Sequence, residues 1–270
     1  MAACGRRGGR LPVVTAYRLH ARNAAAMWSA LAGDSGGVLL RSERVRVVAP
    51  SPYHTLRAIV LDAMSEPELT VREAAEAVLP HAEASRRVIE DAGGRLDFAQ
   101  HGFEERFRFP VMSRDPGPVA TSPPTGPDEL TVAAAVADTE RLAVAERIMF
   151  AVFPPARVDA AMWGRIQPAR VLGIEGWCVW LAHRSGVPAG AAFTYHDGQS
   201  VGVYQVATLP EHRGNGVARA TMAAILGRYC DVPVTLTATE QGRPLYERLG
   251  FRIVDMAVWW VPRPHAGPIG

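Results

Sequence analysis

Two short stretches carry residue types and spacings that could do chemistry. The first is PEHRGNGVA, residues 210–218, between the alternating run VGVYQVATL and the periodic run RATMAAIL. That order predicts a strand ending at Leu209, a tight turn, and a helix beginning near Val217. Successive backbone N–H groups from Arg213 through Gly214, Asn215, Gly216 and Val217 to Ala218 would then stand unpaired at the positive end of a helix dipole, a setting suited to an anion. Gly214 and Gly216 would let a phosphate approach the backbone without a Cβ in the way, and Arg213 adds a fixed charge. Alone, the stretch reads more readily as a plain helix-start turn. It is neither GxGxxG after a first strand nor GxxxxGK[ST], so the dinucleotide and P-loop readings lose their defining residues. The second stretch is ATEQGRPLYERLGF, residues 238–251, in which a short helix carrying Tyr246 ends at Gly250, a candidate left-handed cap. A phenol there could donate a proton to a leaving group, or it could be an aromatic that anchors the helix.

The elements that must position these residues lie in the second part of the chain. ELTVAAAV reads as a strand and ADTERLAVAERIMFAVF as a helix with Leu142, Ala145, Ile148 and Met149 on its buried side. Three alternating runs follow, divided by RSG and HDGQ, and predict an antiparallel meander. Next come the helix GVARATMAAILGRY, the strand VPVTLTA, the short helix of Tyr246 and a terminal strand pair around FRIVDMAVWWVP. This is an α/β fold with a mixed, mostly antiparallel twisted sheet flanked by helices.

Upstream the pattern is less regular. Residues 1–36, with five arginines against the single acid Asp34, read as a poorly ordered leader, and Met27 is a candidate start. Residues 37–112 read as a smaller α/β domain: VLLRSERVRVVA as a strand, YHTLRAIVLDAM and LTVREAAEAVLPHAEASRRVIEDAG as helices interrupted at Pro80, GRLDFAQ and FEERFRFPVMS as strands. The five prolines between 113 and 128 mark a linker, leaving 129–262 as the larger domain and 263–270 as a flexible tail.

Composition excludes several classes. A formal charge of +2 from 29 basic and 27 acidic side chains argues against nucleic acid as a partner. Every basic residue is Arg, so no Lys is present to form a Schiff base. The widely spaced Cys4, Cys178 and Cys230 make neither a disulfide framework nor a metal knuckle, no histidine pair has ligand spacing, and no apolar run is long enough for a membrane span. A cytoplasmic protein without metal or membrane partner is expected.

Taken together, the two stretches resemble the GNAT superfamily of acyl-CoA-dependent N-acetyltransferases over roughly residues 129–262. Arg213, Gly216 and Ala218 match its acyl-CoA signature, and Leu245, Tyr246, Gly250 and Phe251 match its late motif. The resemblance implies acetyl transfer from acetyl-CoA to a small-molecule or protein amine; the alternative is a catalytically silent acyl-CoA-binding protein of the same fold. It implies that the backbone of Val206, Ala207 and Thr208 pairs with the pantetheine arm, that residues 213–218 hold the pyrophosphate, and that Tyr246 is the catalytic acid. Thr239 and Gly242 depart from the Asn and Ala frequent in the family at those positions.

Candidates for a general base are Glu146, Tyr195, His196 and Tyr204, each with an ordinary alternative as a solvated, turn or packing residue. His212 adjoins the anion turn, and Trp177, Trp180, Trp259 and Trp260 could line an acceptor pocket. Residues 37–112 are read as a degenerate partial copy of the same fold, because Gly102 and Phe103 are similar in setting to Gly250 and Phe251. With no counterpart of RGNGVA, that copy would limit the substrate and not bind a second cofactor; a small domain for homodimer contacts competes with this.

Overall fold

The computed structural model describes residues 13–33, 36–81, 86–119, 129–134, 138–155 and 158–264. The second part follows the sequence pattern: β6 (Leu130–Ala134), α3 (Thr139–Val152), β7 (Trp177–Arg184), β8 (Val187–His196), β9 (Val201–Thr208), α4 (Val217–Arg228), β10 (Val234–Thr237), α5 (Arg243–Arg248) and β11 (Arg252–Pro262). Asp138 caps α3 by accepting from the N–H groups of Glu140 and Arg141, and the expected apolar stripe of Leu142, Ala145, Ile148 and Met149 is buried. The expected terminal strand pair is one strand, β11, with two irregularities in its pairing to β5.

The first part departs further from expectation. VLLRSERVRVVA is a hairpin of β1 (Val38–Arg41) and β2 (Val45–Val48), and YHTLRAIVLDAM, expected as a helix, holds strand β3 (Leu56–Val60). Leu56, Ala58 and Val60 pack on the side of α2 (Pro67–Val78), and Ile59 packs on the opposite side. A strand covered on both faces reads as a continuous apolar run, which periodicity cannot separate from a helix. Likewise RRVIEDAG is strand β4 (Arg87–Asp91), not a second helix, and GRLDFAQ leads into a single 3-10 turn before β5 (Phe103–Arg114).

The largest correction is the expected leader. Val13–Ala32 is a helix, α1, whose Ala16, Tyr17, Ala21, Ala25, Met27 and Leu31 are buried in two core clusters. Residues 16–26, which a start at Met27 would omit, carry much of this contact. Arginines on a helix that packs its Ala-rich side are compatible with a buried element, because the excess charge lies on the other side. The expected linker is also partly structured. Ser113 and Arg114 end β5, and the Arg114 guanidinium donates to the carbonyls of Leu249, Asp115, Gly117 and Pro118. The remainder, from 120 to 128, lies outside the described residues, as does the expected tail from 265 onward.

The eleven strands among the described residues form one sheet in the order β1-β2-β3-β4-β11-β5-β10-β9-β8-β7-β6. The order is pseudo-symmetric about the β11–β5 pair. In each half a parallel strand pair, β3 with β4 and β9 with β10, is joined by a crossover helix, α2 or α4. In each half the last strand crosses the middle: β5 pairs with β10, and β11 pairs with β4. Gly102 and Gly250, both in the left-handed region, precede these two strands. The partial copy is therefore visible as topology. One departure decides the location of the site. β3 and β4 pair over four positions, whereas β9 and β10 pair only at Val201–Val234 and Gly202–Thr235 and then part.

Candidate active site

Where β9 leaves β10 it also bulges. Phe193 of β8 faces Tyr204 and Ala191 faces Ala207, so β9 carries one extra residue, and Gln205 takes a positive φ of 50°. Such a bulge leaves a backbone group outside the ladder and stores strain of the sort found at functional sites. The parting opens a cleft of about 1330 Å³ lined on one strand by Val203 to Val206 and Thr208 and on the other by Leu236 and Thr237. It runs from the sheet face of α1 and α3, at Trp28 and Phe150, to that of α4 and α5, at Val217 and Tyr246. Ligand pockets are commonly about 300–1,000 Å³, so the cleft has room for a donor and an acceptor together.

At the α4 end Gly214 and Gly216 have φ of 78° and 79°, and Gly216 caps α4 with no side chain accepting from its first N–H groups. The Asn215 amide donates to the carbonyls of His212 and Arg213, at 3.4 and 2.9 Å, which holds the turn in shape. Arg213, Gly214, Gly216, Val217, Ala218 and Tyr246 line the cleft; Asn215 does not, and Ala207 is buried in the core beneath α3 with only its neighbours Val206 and Thr208 on the cleft. The Tyr246 ring packs edge-on against Phe251, and burial pushes its pKa up to about 12. The phenol therefore stays protonated across the neutral range and can act as a donor.

At the other end the lining comes from the helix within the expected leader and from the domain expected to limit the substrate. His20, Ala24 and Trp28 are spaced four residues apart on one face of α1 and all reach the cleft. Asn23, fully buried beside them, holds the helix to the sheet. Its amide donates to the carbonyls of Tyr195 and Ser200, each at 3.1 Å, and its oxygen accepts from the Tyr204 hydroxyl at 2.7 Å. Only glycine fits at 202, because a Cβ there would lie 2.2 Å from Asn23 Oδ1 and 2.4 Å from the Tyr204 hydroxyl. His20 Nδ1 stands 3.4 Å from the hydroxyl of Thr235, the last residue of β10 paired with β9. An imidazole thus sits at the apex of the opening. His54, also on the cleft, pairs Nδ1 with Ser51 Oγ at 2.7 Å, and its Nε2 has no partner among the described residues.

The four expected base candidates are redistributed. Glu146 is neither solvated nor on the cleft: it is buried and accepts from the backbone N–H groups of Gly164, Ile166 and Gln167 at 2.6, 3.0 and 2.5 Å, pinning the segment after α3. His196 and Tyr195 lie outside the cleft lining, Tyr195 edge-on to Trp177. Tyr204 lines the cleft, but burial, foremost, raises its pKa well above the usual value while its hydroxyl is spent on Asn23. Of the four tryptophans only Trp259 faces the cleft. Trp177 stacks on Phe193 in the core, Trp180 donates to Thr194, and Trp260 packs on Phe98 beneath α2. His20, Trp28 and His54 had no motif to reveal them; only their convergence in the fold does so.

Burial lowers the pKa of both His20 and His54 to about 4, with Arg57 adding to the effect at His54. An unfolded chain keeps its imidazoles near about 6.5, so between those values it binds more protons than the folded one. Stability from this source is complete above about pH 6.5 and falls as pH drops toward 4, by about 3 kcal/mol per histidine. The melting temperature followed by circular dichroism is expected to fall steeply over that window and less so in a His20→Gln, His54→Gln variant. An unchanged slope in the variant would refute the assignment.

A strand pair thus parts over an uncapped helix N-terminus, with a protonated phenol in the same cleft. Residues 175–253 match the family model of the acetyltransferase (GNAT) domain, so the resemblance over the second half of the chain is shown there directly. No curated protein matches the chain. Among solved structures, a GCN5-related N-acetyltransferase from Kribbella flavida is 22% identical, with 91% of this chain and 96% of that one covered and a TM-score of 0.62. A GCN5-related N-acetyltransferase from Sphaerobacter thermophilus is 20% identical, covering 94% and 95% at 0.56. A tandem GNAT protein from the clavulanic acid biosynthesis pathway is 17% identical, covering 82% and 79% at 0.55. The fold is thus GNAT-like across both halves. Among the described residues no group of three or more His, Cys, Asp or Glu side chains could hold a metal ion, and no helix is long and apolar enough to cross a membrane.

Proposed function

We propose that the chain transfers an acetyl group from acetyl-CoA to a primary amine by direct attack in a ternary complex. The observation that carries this reading is that the parting of β9 from β10, the uncapped start of α4 and the Tyr246 phenol all open on one cleft. The backbone of Val206 to Thr208, having no partner on β10, pairs with the pantetheine arm. The N–H groups from Gly214 to Ala218 hold the pyrophosphate, aided by the helix dipole; the Arg213 N–H is bonded to the Pro210 carbonyl, and Arg213 contributes its guanidinium charge instead. The amine attacks the thioester carbonyl, a backbone N–H freed by the bulge at Gln205 stabilises the oxyanion, and the C–S bond breaks as Tyr246 protonates the departing thiolate. The neutral His20 imidazole, a lone pair at the apex of the opening, accepts the proton lost by the amine. Holding donor and acceptor together supplies much of the acceleration.

Incubating the protein with acetyl-CoA and a panel of amines, with free thiol recorded, tests the proposal; absence of acetyl-CoA binding would sink it. At the turn, Gly216→Val is expected to raise the acetyl-CoA dissociation constant at least about tenfold, because a β-branched residue resists the φ of 79° that aims the N–H groups. A Cβ at 216 would meet only Leu130 Cδ1, at 3.7 Å, so the effect is conformational and the rest of the fold should persist. Titration calorimetry reads it, and unchanged affinity would remove the cradle from the mechanism.

A further inference from the structure

The acceptor end of the cleft is walled by a continuous set of flat side chains drawn from both halves. Phe107 stacks on Phe109 at 5.7 Å, and both meet Trp259 edge-on, at 6.2 and 5.3 Å. The Arg57 guanidinium lies between Trp259 and Trp28, 5.5 and 4.3 Å from their ring centroids, and Trp28 meets His54 edge-on. Every one of these residues lines the cleft. Three of the large apolar side chains that stand exposed on the protein, Tyr53, Phe107 and Phe153, are at this same opening. Exposed aromatics gathered at one concave site mark a place where an apolar ligand is bound.

Charge points the same way. Among the described residues lining the cleft the one carboxylate is Glu90, and it is ion-paired with Arg57. Five arginines line it, Arg57 and Arg86 toward the wall and Arg213, Arg219 and Arg248 toward the α4 end. Since Arg213, Arg219 and Arg248 are at the end that takes the phosphates and Arg57 is paired with Glu90, a second or third positive charge on an acceptor would find no unpaired acid and would meet the like charge of Arg86. A flat apolar body bearing one amine would cover the rings and bring a single nitrogen to the apex.

Building on the acetyltransferase reading above, we infer that the acceptor is a primary amine carried on an aromatic ring or a comparable flat apolar body, and not a polycation. Trp259, Phe107 and Trp28 hold the ring. Polyamines and other multiply charged acceptors find no free carboxylate there for their further charges.

The test uses the full chain, with phenethylamine and spermidine as probes. With acetyl-CoA present, kcat/KM for phenethylamine, read by thiol release, is expected to exceed that for spermidine at least about tenfold. Phe107→Ala, at an exposed position, and Trp259→Ala should each raise the KM for phenethylamine about tenfold while leaving acetyl-CoA affinity unchanged. A preference for spermidine, or an unchanged KM in both variants, would overturn the inference. Direct binding of phenethylamine without acetyl-CoA, read by calorimetry, separates it from the catalytic proposal. If acetyl-CoA does not bind, the transfer reaction fails, yet phenethylamine binding that Trp259→Ala and Phe107→Ala weaken would uphold the aromatic acceptor site. No phenethylamine binding in that case would overturn it as well.

Discussion

A Tyr246→Phe variant is expected to turn over acetyl-CoA about a hundredfold more slowly than the parent while binding it within about twofold, since proton donation to the leaving group acts mainly in the transition state. The ring would keep its edge-on contact with Phe251 and its buried place beside the cleft, so only the hydroxyl is lost. Among the described residues that hydroxyl makes no hydrogen bond that its removal would orphan, which separates the kinetic effect from a folding one. Steady-state thiol release with calorimetric binding of acetyl-CoA reads both quantities. With a pKa held near 12 by burial, the phenol should also show no loss of activity from its own ionisation through the neutral and mildly alkaline range. Equal turnover in the variant would leave solvent as the proton source.

The second large effect concerns the halves themselves. Residues 129–270 expressed alone are expected not to form a stable fold, although the proline-rich stretch before them invites such a cut. β10 would lose β5, its antiparallel partner, and β11 would lose both of its neighbours, β4 and β5. The core beneath α3 would lose Met27 and Leu31, deletions of a kind that cost about 2–5 kcal/mol each when a large side chain is removed. Against a net stability of about 5–15 kcal/mol for ordinary domains, these losses exceed what the fragment can bear. Thermal melts should show no cooperative transition, and supplying residues 1–119 as a separate chain should restore one. A fragment that melts cooperatively and binds acetyl-CoA unaided would show the halves to be independent.

How much of this was legible in the sequence varied with how local the signal was. RGNGVA and PLYERLGF could be read because turn, glycine and helix start lie within a few residues of one another, and the order of elements from β6 to β11 followed from clean alternation and periodicity. β3 could not be read, since a strand with Ile59 packed toward α1 and Leu56, Ala58 and Val60 packed toward α2 shows no alternation. α1 was obscured by its composition: its alanines pack against the sheet, its arginines lie on the other side, and the buried Met27, Leu31 and Asn23 that hold it there form no motif. The acceptor end was hidden for a different reason. Trp28, His54, Phe107 and Trp259 come from three elements and a loop far apart in the chain; Trp259 was a candidate by type, and the other three taken singly read as ordinary packing. Glu146 shows the converse, a carboxylate that looked catalytic by type but caps a loop.

The exchange of β5 and β11 across the middle of the sheet bears on how the chain comes to be folded. β11 is the last of the described strands to emerge during synthesis, yet its place is between two strands made long before it. Until it arrives, β4 and β5 each present an open edge, and their correct closure requires contacts between distant parts of the chain. Folding should therefore be slow and concerted, completed only after the second half is made, with the nascent first half dependent on protection from edge-to-edge association in the interval.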